Sequence, residues 1–332
     1  MFCKINKGNR IIKKFNLLYC HDEGYNLQTF LSINSVLKNS ETSLFDIHIL
    51  HENPDTFSSY YEKLKISPKI NEIFLYKFKD INNFFPNIKG KHVSAATYYR
   101  LFIQNYLPDS LNSLIYLDSD VIAIKNVDKI FEKCEREILE SKFTIYVSTE
   151  MVKLNENHDV FKNLELVGTN YFNAGVMFID YKKWKNKTSI NKFLDLIELY
   201  KEKIIFWDQD VLNKFFDNNI LKLSDNLNFR VYEPVDYTRL DSDAVLLHYS
   251  GNAKPWTIQG GYKRSSQFFL DNYREHYPDK FYFELNKSRL ESTKLLIKLL
   301  LNNDFLSIKY KFTYFIKALE IILSGKNKQD VF

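Results

Sequence analysis

An alternation of short apolar runs with helical patterns, spread over the first half of the chain, constrains the fold more than any other feature. Phe15 to Cys20, Phe45 to Leu50, Ile70 to Phe78, Ser113 to Leu117 and Phe143 to Val147 each read as a buried strand. Tyr25 to Leu37, Phe57 to Leu64 and Ala95 to Tyr106 carry apolar residues near helical spacing. Strands that alternate with helices need crossover connections, so the pattern predicts an α/β fold with a mostly parallel central sheet. Further along, Tyr171 to Ile179 and Val245 to Tyr249 read as strands, Ile190 to Lys203 as a helix and Val211 to Phe216 as a helical turn.

The last segment reads differently. From Leu290 onward apolar residues mix with lysines as two amphipathic helices split near Asn302-Asn303-Asp304. Residues 285–332 hold nine Lys or Arg against four acids, whereas the preceding residues balance at 37 against 37. The expected organisation is therefore one α/β domain over 1–284 and a basic helical tail over 285–332. With its positive charge gathered in that tail, the chain lacks the basic recognition face of a nucleic-acid binder. Three scattered cysteines, Cys3, Cys20 and Cys134, have neither disulfide nor zinc spacing and fit a reducing compartment. The N-terminal apolar run is too short for a signal-peptide core, and no stretch reaches the length of a membrane span. The expected location is the cytoplasm, with any membrane contact peripheral.

Chemistry concentrates where apolar strands end. Ser113 to Asp120, reading SLIYLDSD, delivers Asp118 and Asp120 at the carboxyl end of a strand, where open α/β sheets bind ligands. Two carboxylates there suit Mg²⁺ or Mn²⁺ better than zinc, although such a pair alone also fits a solvated turn or a helix cap. A second strand end, LLHYSGNAKPW over 246–256, presents His248, Gly251 and Lys254 at three-residue intervals. Imidazole can ligate Mn²⁺, glycine admits a phosphate close to the backbone, and lysine adds positive charge. Taken singly, His248 also fits a core histidine and Lys254 a surface lysine. In FNAGVMFI, Asn173 can bond sugar hydroxyls while Ala174 and Gly175 leave room for a ring. In WDQD, Asp208 and Gln209 offer an acid and an amide near a sugar, with a plain helix N-cap as the other reading of Asp208. Cys20, Asp22 and Tyr25 follow the first strand and can meet a nucleobase; Arg100, in a helical pattern, fits either a donor contact or a structural ion pair.

Six ordered motifs, YCHDEGY, ATYYRL, YLDSDV, FNAGVMFID, WDQDVLN and HYSGNAKPW, together resemble the family 8 glycosyltransferases over roughly residues 15–280. That family includes bacterial lipopolysaccharide galactosyl- and glucosyltransferases and, more distantly, glycogenin. The resemblance implies a GT-A type fold, a UDP-sugar donor (UDP-glucose or UDP-galactose), Mn²⁺ and retention of anomeric configuration. By position it implies Asp118, Asp120 and His248 as metal ligands, with Ser119 near the ribose. It implies Cys20, Asp22 and Tyr25 as uridine contacts, Gly251 and Lys254 as diphosphate contacts, and Arg100 as a donor-side arginine. Asn173, Asp208 and Gln209 match the sugar and reaction centre. The first loop departs from the pattern at Gly24, where some members carry an amide residue. The basic tail resembles that of the family's lipopolysaccharide enzymes and implies peripheral contact with an anionic membrane and an oligosaccharide acceptor, lipid-linked where the tail binds lipid; an ordinary helical pair packed on the catalytic domain is the other reading of the tail. A glycan on a bacterial adhesin is the alternative acceptor, and a catalytically silent nucleotide-sugar-binding scaffold is the reading from a different class.

Overall fold

The structure, a computed structural model, describes residues 5–6, 10–79, 95–150, 160–231, 235–251, 254–261, 263–278, 289–301 and 311–324. The chain divides into two compact units, one of residues 1–229 with 243–246 and the other of residues 230–242 with 247–332.

The first unit is built on a seven-stranded sheet. Its strands are β1 (Lys14–His21), β2 (Leu44–His51), β3 (Ile70–Lys77), β4 (Ser113–Leu117), β5 (Ile145–Glu150), β6 (Tyr171–Asp180) and β7 (Leu221–Lys222). Their order is β7-β5-β6-β4-β1-β2-β3. Pairs β1 with β2, β1 with β4, β2 with β3 and β7 with β5 are parallel, and β6 runs antiparallel to both its neighbours. The burial pattern follows this order. Central β6 is buried at every position, as a strand covered on both faces must be, while edge strand β3 is only half-buried. The crossover helix α1 (Asn26–Lys38) buries Leu27, Phe30, Leu31, Ile33, Val36 and Leu37, each worth about 1.5–3 kcal/mol of transfer free energy.

Opposed chain directions at β6 create the site. Leu117 at the carboxyl end of β4 pairs with Val176, so the Phe172–Gly175 start of β6 lies beside the acids that follow β4. The backbone N–H of Asp118 donates to the carbonyl of Gly175 at 2.8 Å, and a turn closes with Val121 N–H donating to Asp118 O at 3.0 Å.

Three elements differ from the sequence expectation. The strand expected at Phe143–Val147 is displaced to Ile145–Glu150, because Ser141 Oγ holds the Phe143 N–H in a turn. Ala95–Asn105 is helical throughout but of 3₁₀ type. The helical turn expected at Val211–Phe216 is a full helix beginning at Trp207. Helix α2 (Asp128–Glu140) and helix α3 (Ile190–Tyr200) complete the parts of this unit used below, with α4 (Trp207–Phe215) bearing the WDQD motif.

The second unit contains Leu247 and His248 at the end of β8 (Leu246–His248), α5 (Gln267–His276), α6 (Arg289–Leu300) and α7 (Lys311–Ser324). Trp256 packs on Phe269 with ring centroids 5.0 Å apart, and Tyr249 Oη donates to the carbonyl of Ser265 at 2.7 Å. Helices α6 and α7 match the two tail helices expected from sequence and pack on each other. The expected break at 302–304 lies outside the described residues. Among the described residues no helix is long and apolar enough to cross a membrane.

Candidate active site

At the carboxyl edge of the first unit's sheet, one buried arginine joins two acids. Arg100, from the 3₁₀ helix Ala95–Asn105, lies with Nε 2.7 Å from Asp208 Oδ2 and a terminal nitrogen 3.2 Å from Asp118 Oδ1. The same nitrogen donates to the carbonyl of Ala174 at 2.7 Å, and the guanidinium sits 4.6 Å over the ring of Tyr116. Tyr116 Oη donates to Asp118 Oδ1 at 2.6 Å. An arginine fork suits this task because its nitrogens meet separate acceptors in one plane. Burial pulls the guanidinium pKa down, but Asp118 and Asp208 outweigh it and drive the pKa well up. Asp208 is only 1 % exposed. Burial pushes its carboxyl up to about 7; Arg100 pulls the other way and Asp118 adds to the rise.

These contacts bear on two of the readings. Asp208 lies in the first turn of α4 and is not its N-cap, a position taken by Phe206. Arg100 makes ion pairs with acids of the DSD and WDQD motifs.

The amides form a second layer. Asn173 Nδ2 donates to Gln209 Oε1 and to Glu150 Oε2, each at 3.2 Å, while its Oδ1 accepts from Gly175 N and Asn228 Nδ2, each at 3.0 Å. Gln209 Oε1 also accepts from Ala174 N at 3.2 Å, and Gln209 Nε2 donates to Tyr171 Oη at 3.2 Å. With two donors on its oxygen, the Gln209 amide makes a weak nucleophile. Ser119 is buried between the acids, its Oγ 2.7 Å from Thr29 Oγ1 on α1.

The loop after β1 is shaped by its own residues. Asp22 Oδ1 accepts from Gly24 N at 3.0 Å and caps the turn Glu23–Tyr25, which leads into α1. Cys20 is buried, and burial raises its thiol pKa far above the usual range. His21 and His51 stack edge to face 4.7 Å apart, and burial lowers His21 to about 3.

In the second unit His248 is buried at the end of β8, and its carbonyl accepts from Val231 N at 3.1 Å. Gly251 has φ +82°, in the left-handed region, with nothing within 4 Å of where a Cβ would stand. Glycine is required there by backbone conformation, not by crowding. Lys254 Nζ donates to the carbonyl of Tyr249 at 2.8 Å, which folds the lysine back along its own loop.

Sequence reasoning missed Tyr116, Tyr171, Glu150, Asn228 and Asp210, the polar residues that hold the expected ones. Asp210 stood in the quoted WDQD motif, and its regular spacing from Asp208 was the available signal.

A mostly parallel α/β sheet with its acids, amides and arginine gathered at the carboxyl edge is the GT-A type of fold. The chain belongs to glycosyl transferase family 8, whose model matches residues 16–260. It is 26 % identical over 313 residues to a lipopolysaccharide 1,2-glucosyltransferase of Escherichia coli, covering 89 % of this chain and 90 % of that protein. It is 24 % identical over 265 residues to a lipopolysaccharide 1,3-galactosyltransferase of Salmonella typhimurium, covering 77 % of each. Among solved structures it resembles the galactosyltransferase LgtC in complex with donor and acceptor sugar analogues, with a TM-score of 0.64 at 21 % identity. That likeness covers 78 % of this chain and 95 % of LgtC, and it shows the fold.

Proposed function

We propose that this chain is a retaining hexosyltransferase that moves glucose or galactose from a UDP-sugar to a hydroxyl of a bacterial surface glycan of the lipopolysaccharide-core type. The observation that carries the reading is the buried link from Asp118 through Arg100 to Asp208. It ties the acidic strand end, where a diphosphate leaves, to the helical turn that bears Gln209. Family membership and the names of the relatives support the donor and acceptor classes.

Asp118, Asp120 and His248 are the proposed ligands of a divalent cation, Mn²⁺ or in its place Mg²⁺; two carboxylates and an imidazole fit these ions. The Asp118 carboxylate suits the role because Tyr116 and Arg100 fix its orientation. When bound, the ion supplies Lewis-acid neutralisation of the leaving diphosphate. Gly251 and Lys254 bind the diphosphate, Ser119 faces the ribose, and Cys20, Asp22 and Tyr25 contact the uracil. Asn173 and Ala174 bind the hexose. Asp208 places negative charge near the reacting carbon, and Gln209 orients the sugar while the acceptor hydroxyl attacks from the face that UDP leaves.

Residues 1–284 are the proposed catalytic part and 285–332 a tail for peripheral contact with the inner face of the cytoplasmic membrane. Leu290, Ile297, Leu300, Phe312 and Ile316 are exposed on α6 and α7 among lysines, a composition suited to anionic lipid. This favours a lipid-linked acceptor.

Titration calorimetry of UDP into the native chain and into Asp118→Asn, with Mn²⁺ or with EDTA, tests the donor site. Binding is expected only for the native chain with metal. Metal-independent binding, or equal binding by the variant, would overturn the assignment of Asp118.

A further inference from the structure

The hydrogen bonds around Gln209 run in one direction and start from a carboxylate. Asp210 is fully buried and accepts from Ile205 N at 2.6 Å, Phe206 N at 2.9 Å and Tyr171 Oη at 2.5 Å. The Tyr171 phenol gives its proton to the Asp210 carboxylate oxygen. Its oxygen is then left as an acceptor, and the group it meets, 3.2 Å away, is the Gln209 side-chain amide. That end of the amide must be NH₂. The other end is fixed independently, because the Ala174 N–H is a donor only and meets Gln209 Oε1 at 3.2 Å.

We propose that Tyr171 and Asp210 are positioning residues that hold the Nε2 end of the Gln209 amide, as Ala174 N holds its Oε1 end, and so fix the plane the amide presents to a bound sugar. The inference deepens the transferase reading and rests on it for its catalytic consequence. An amide flips at little cost when its two ends meet indifferent partners, and a flipped Gln209 would exchange donor for acceptor. Here the carboxylate at one end and the backbone N–H at the other exclude the flip. The oxygen is consumed by Ala174 N and Asn173 Nδ2, and Nε2 retains a second hydrogen beyond the one given to Tyr171.

Asp210 also braces the backbone. Trp207, immediately before Asp208 and Gln209, has φ +50°, an uncommon conformation for a bulky residue. The carboxylate of Asp210 bonds the two N–H groups just before it, so one side chain holds both the strained turn and the phenol. Such strain persists only where surrounding contacts over-determine it.

Tyr171→Phe removes the phenol oxygen and leaves the bonds from Asp210 to Ile205 and Phe206 in place. Two measurements test the inference: steady-state UDP release by the native chain and the variant, and a crystal structure of the variant. The expected results are a kcat lowered at least tenfold, a donor KM within threefold of native, and a Gln209 Nε2 displaced from its native position. A Gln209 Nε2 that keeps its native position overturns the inference whatever the kinetics. A displaced amide with native kcat also overturns it, as does a loss that falls on KM alone. If the native chain neither releases UDP from either donor nor binds it with Mn²⁺, the transferase reading fails on that control, while the position of the Gln209 amide in the variant still tests the inference.

Discussion

Replacing Arg100 by Met should destabilise the first unit in a way that depends on pH. The methionine fills much of the volume but leaves Asp208, 1 % exposed, with no cation within bonding distance among the partners described. Removing one member of a buried ion pair costs about 3–5 kcal/mol. The lower end applies, because Asp208, at about 7 in the native fold, can relieve its charge by taking a proton. That escape gives the pH dependence. A carboxyl whose folded pKa lies above its unfolded value of 3.8 favours the folded state most at low pH, and this contribution declines as pH rises toward the folded pKa. In the native chain the decline ends near pH 7. Without Arg100 the folded pKa moves higher, so the variant goes on losing about 1.4 kcal/mol per pH unit above 7. Urea unfolding in EDTA, followed by tryptophan fluorescence at pH 6, 7 and 8.5, should show a gap of about 3 kcal/mol at the lower values. The gap should then widen by about 2 kcal/mol at pH 8.5. A loss under about 1 kcal/mol, in the range of exposed pairs, or a gap that stays level across this range, would refute the reasoning.

Other expectations follow from single contacts. Asp128, the first residue of α2, accepts from Ser40 Oγ, Glu41 N and Thr42 N. Burial alone would raise its pKa, but these bonds and one from Ser43 lower it from 3.8 to about 2. Asp128→Ala should therefore cost about 2 kcal/mol at neutral pH, and native and variant urea midpoints should converge as pH falls from about 4 to 2. Gly251→Ala forces a Cβ into the left-handed region and should cost about 1–2 kcal/mol, read as a lower thermal midpoint. Gly251→Asn should lose less, since asparagine tolerates that conformation better. Ile297→Asp combined with Phe312→Asp should abolish cosedimentation with vesicles containing anionic phospholipid, and native binding should weaken as salt rises; unchanged cosedimentation would remove the tail from the lipid reading.

Most of the architecture was legible because it is written in apolar periodicity. The cores of β1, β2, β4 and β6 lie where their apolar runs predicted, and α1 shows the expected helical spacing. Periodicity stops where strands and helices turn polar, and the site begins there. Strand β5 continues past its apolar core through Ser148, Thr149 and Glu150, with a register shift that brings Glu150 opposite Tyr171. Helix α4 starts with Trp207-Asp208-Gln209-Asp210, a polar turn with no apolar signal to announce it. The acids, amides and arginine of the site were found through motifs. Their wiring was not, because a bond such as Tyr171 to Asp210 joins residues 39 positions apart and depends on the register of β6.

The proposed reaction cleaves a UDP-sugar at a metal-bearing acidic strand end. The most direct test measures UDP release from UDP-glucose and from UDP-galactose separately, with Mn²⁺ or EDTA, by the native chain and by Asp120→Ala. Release is expected from one of the two donors, with a requirement for metal, and is expected to disappear in the variant. Release that continues in EDTA or in Asp120→Ala would contradict the proposal, as would a native chain that neither releases UDP nor binds it in the presence of Mn²⁺.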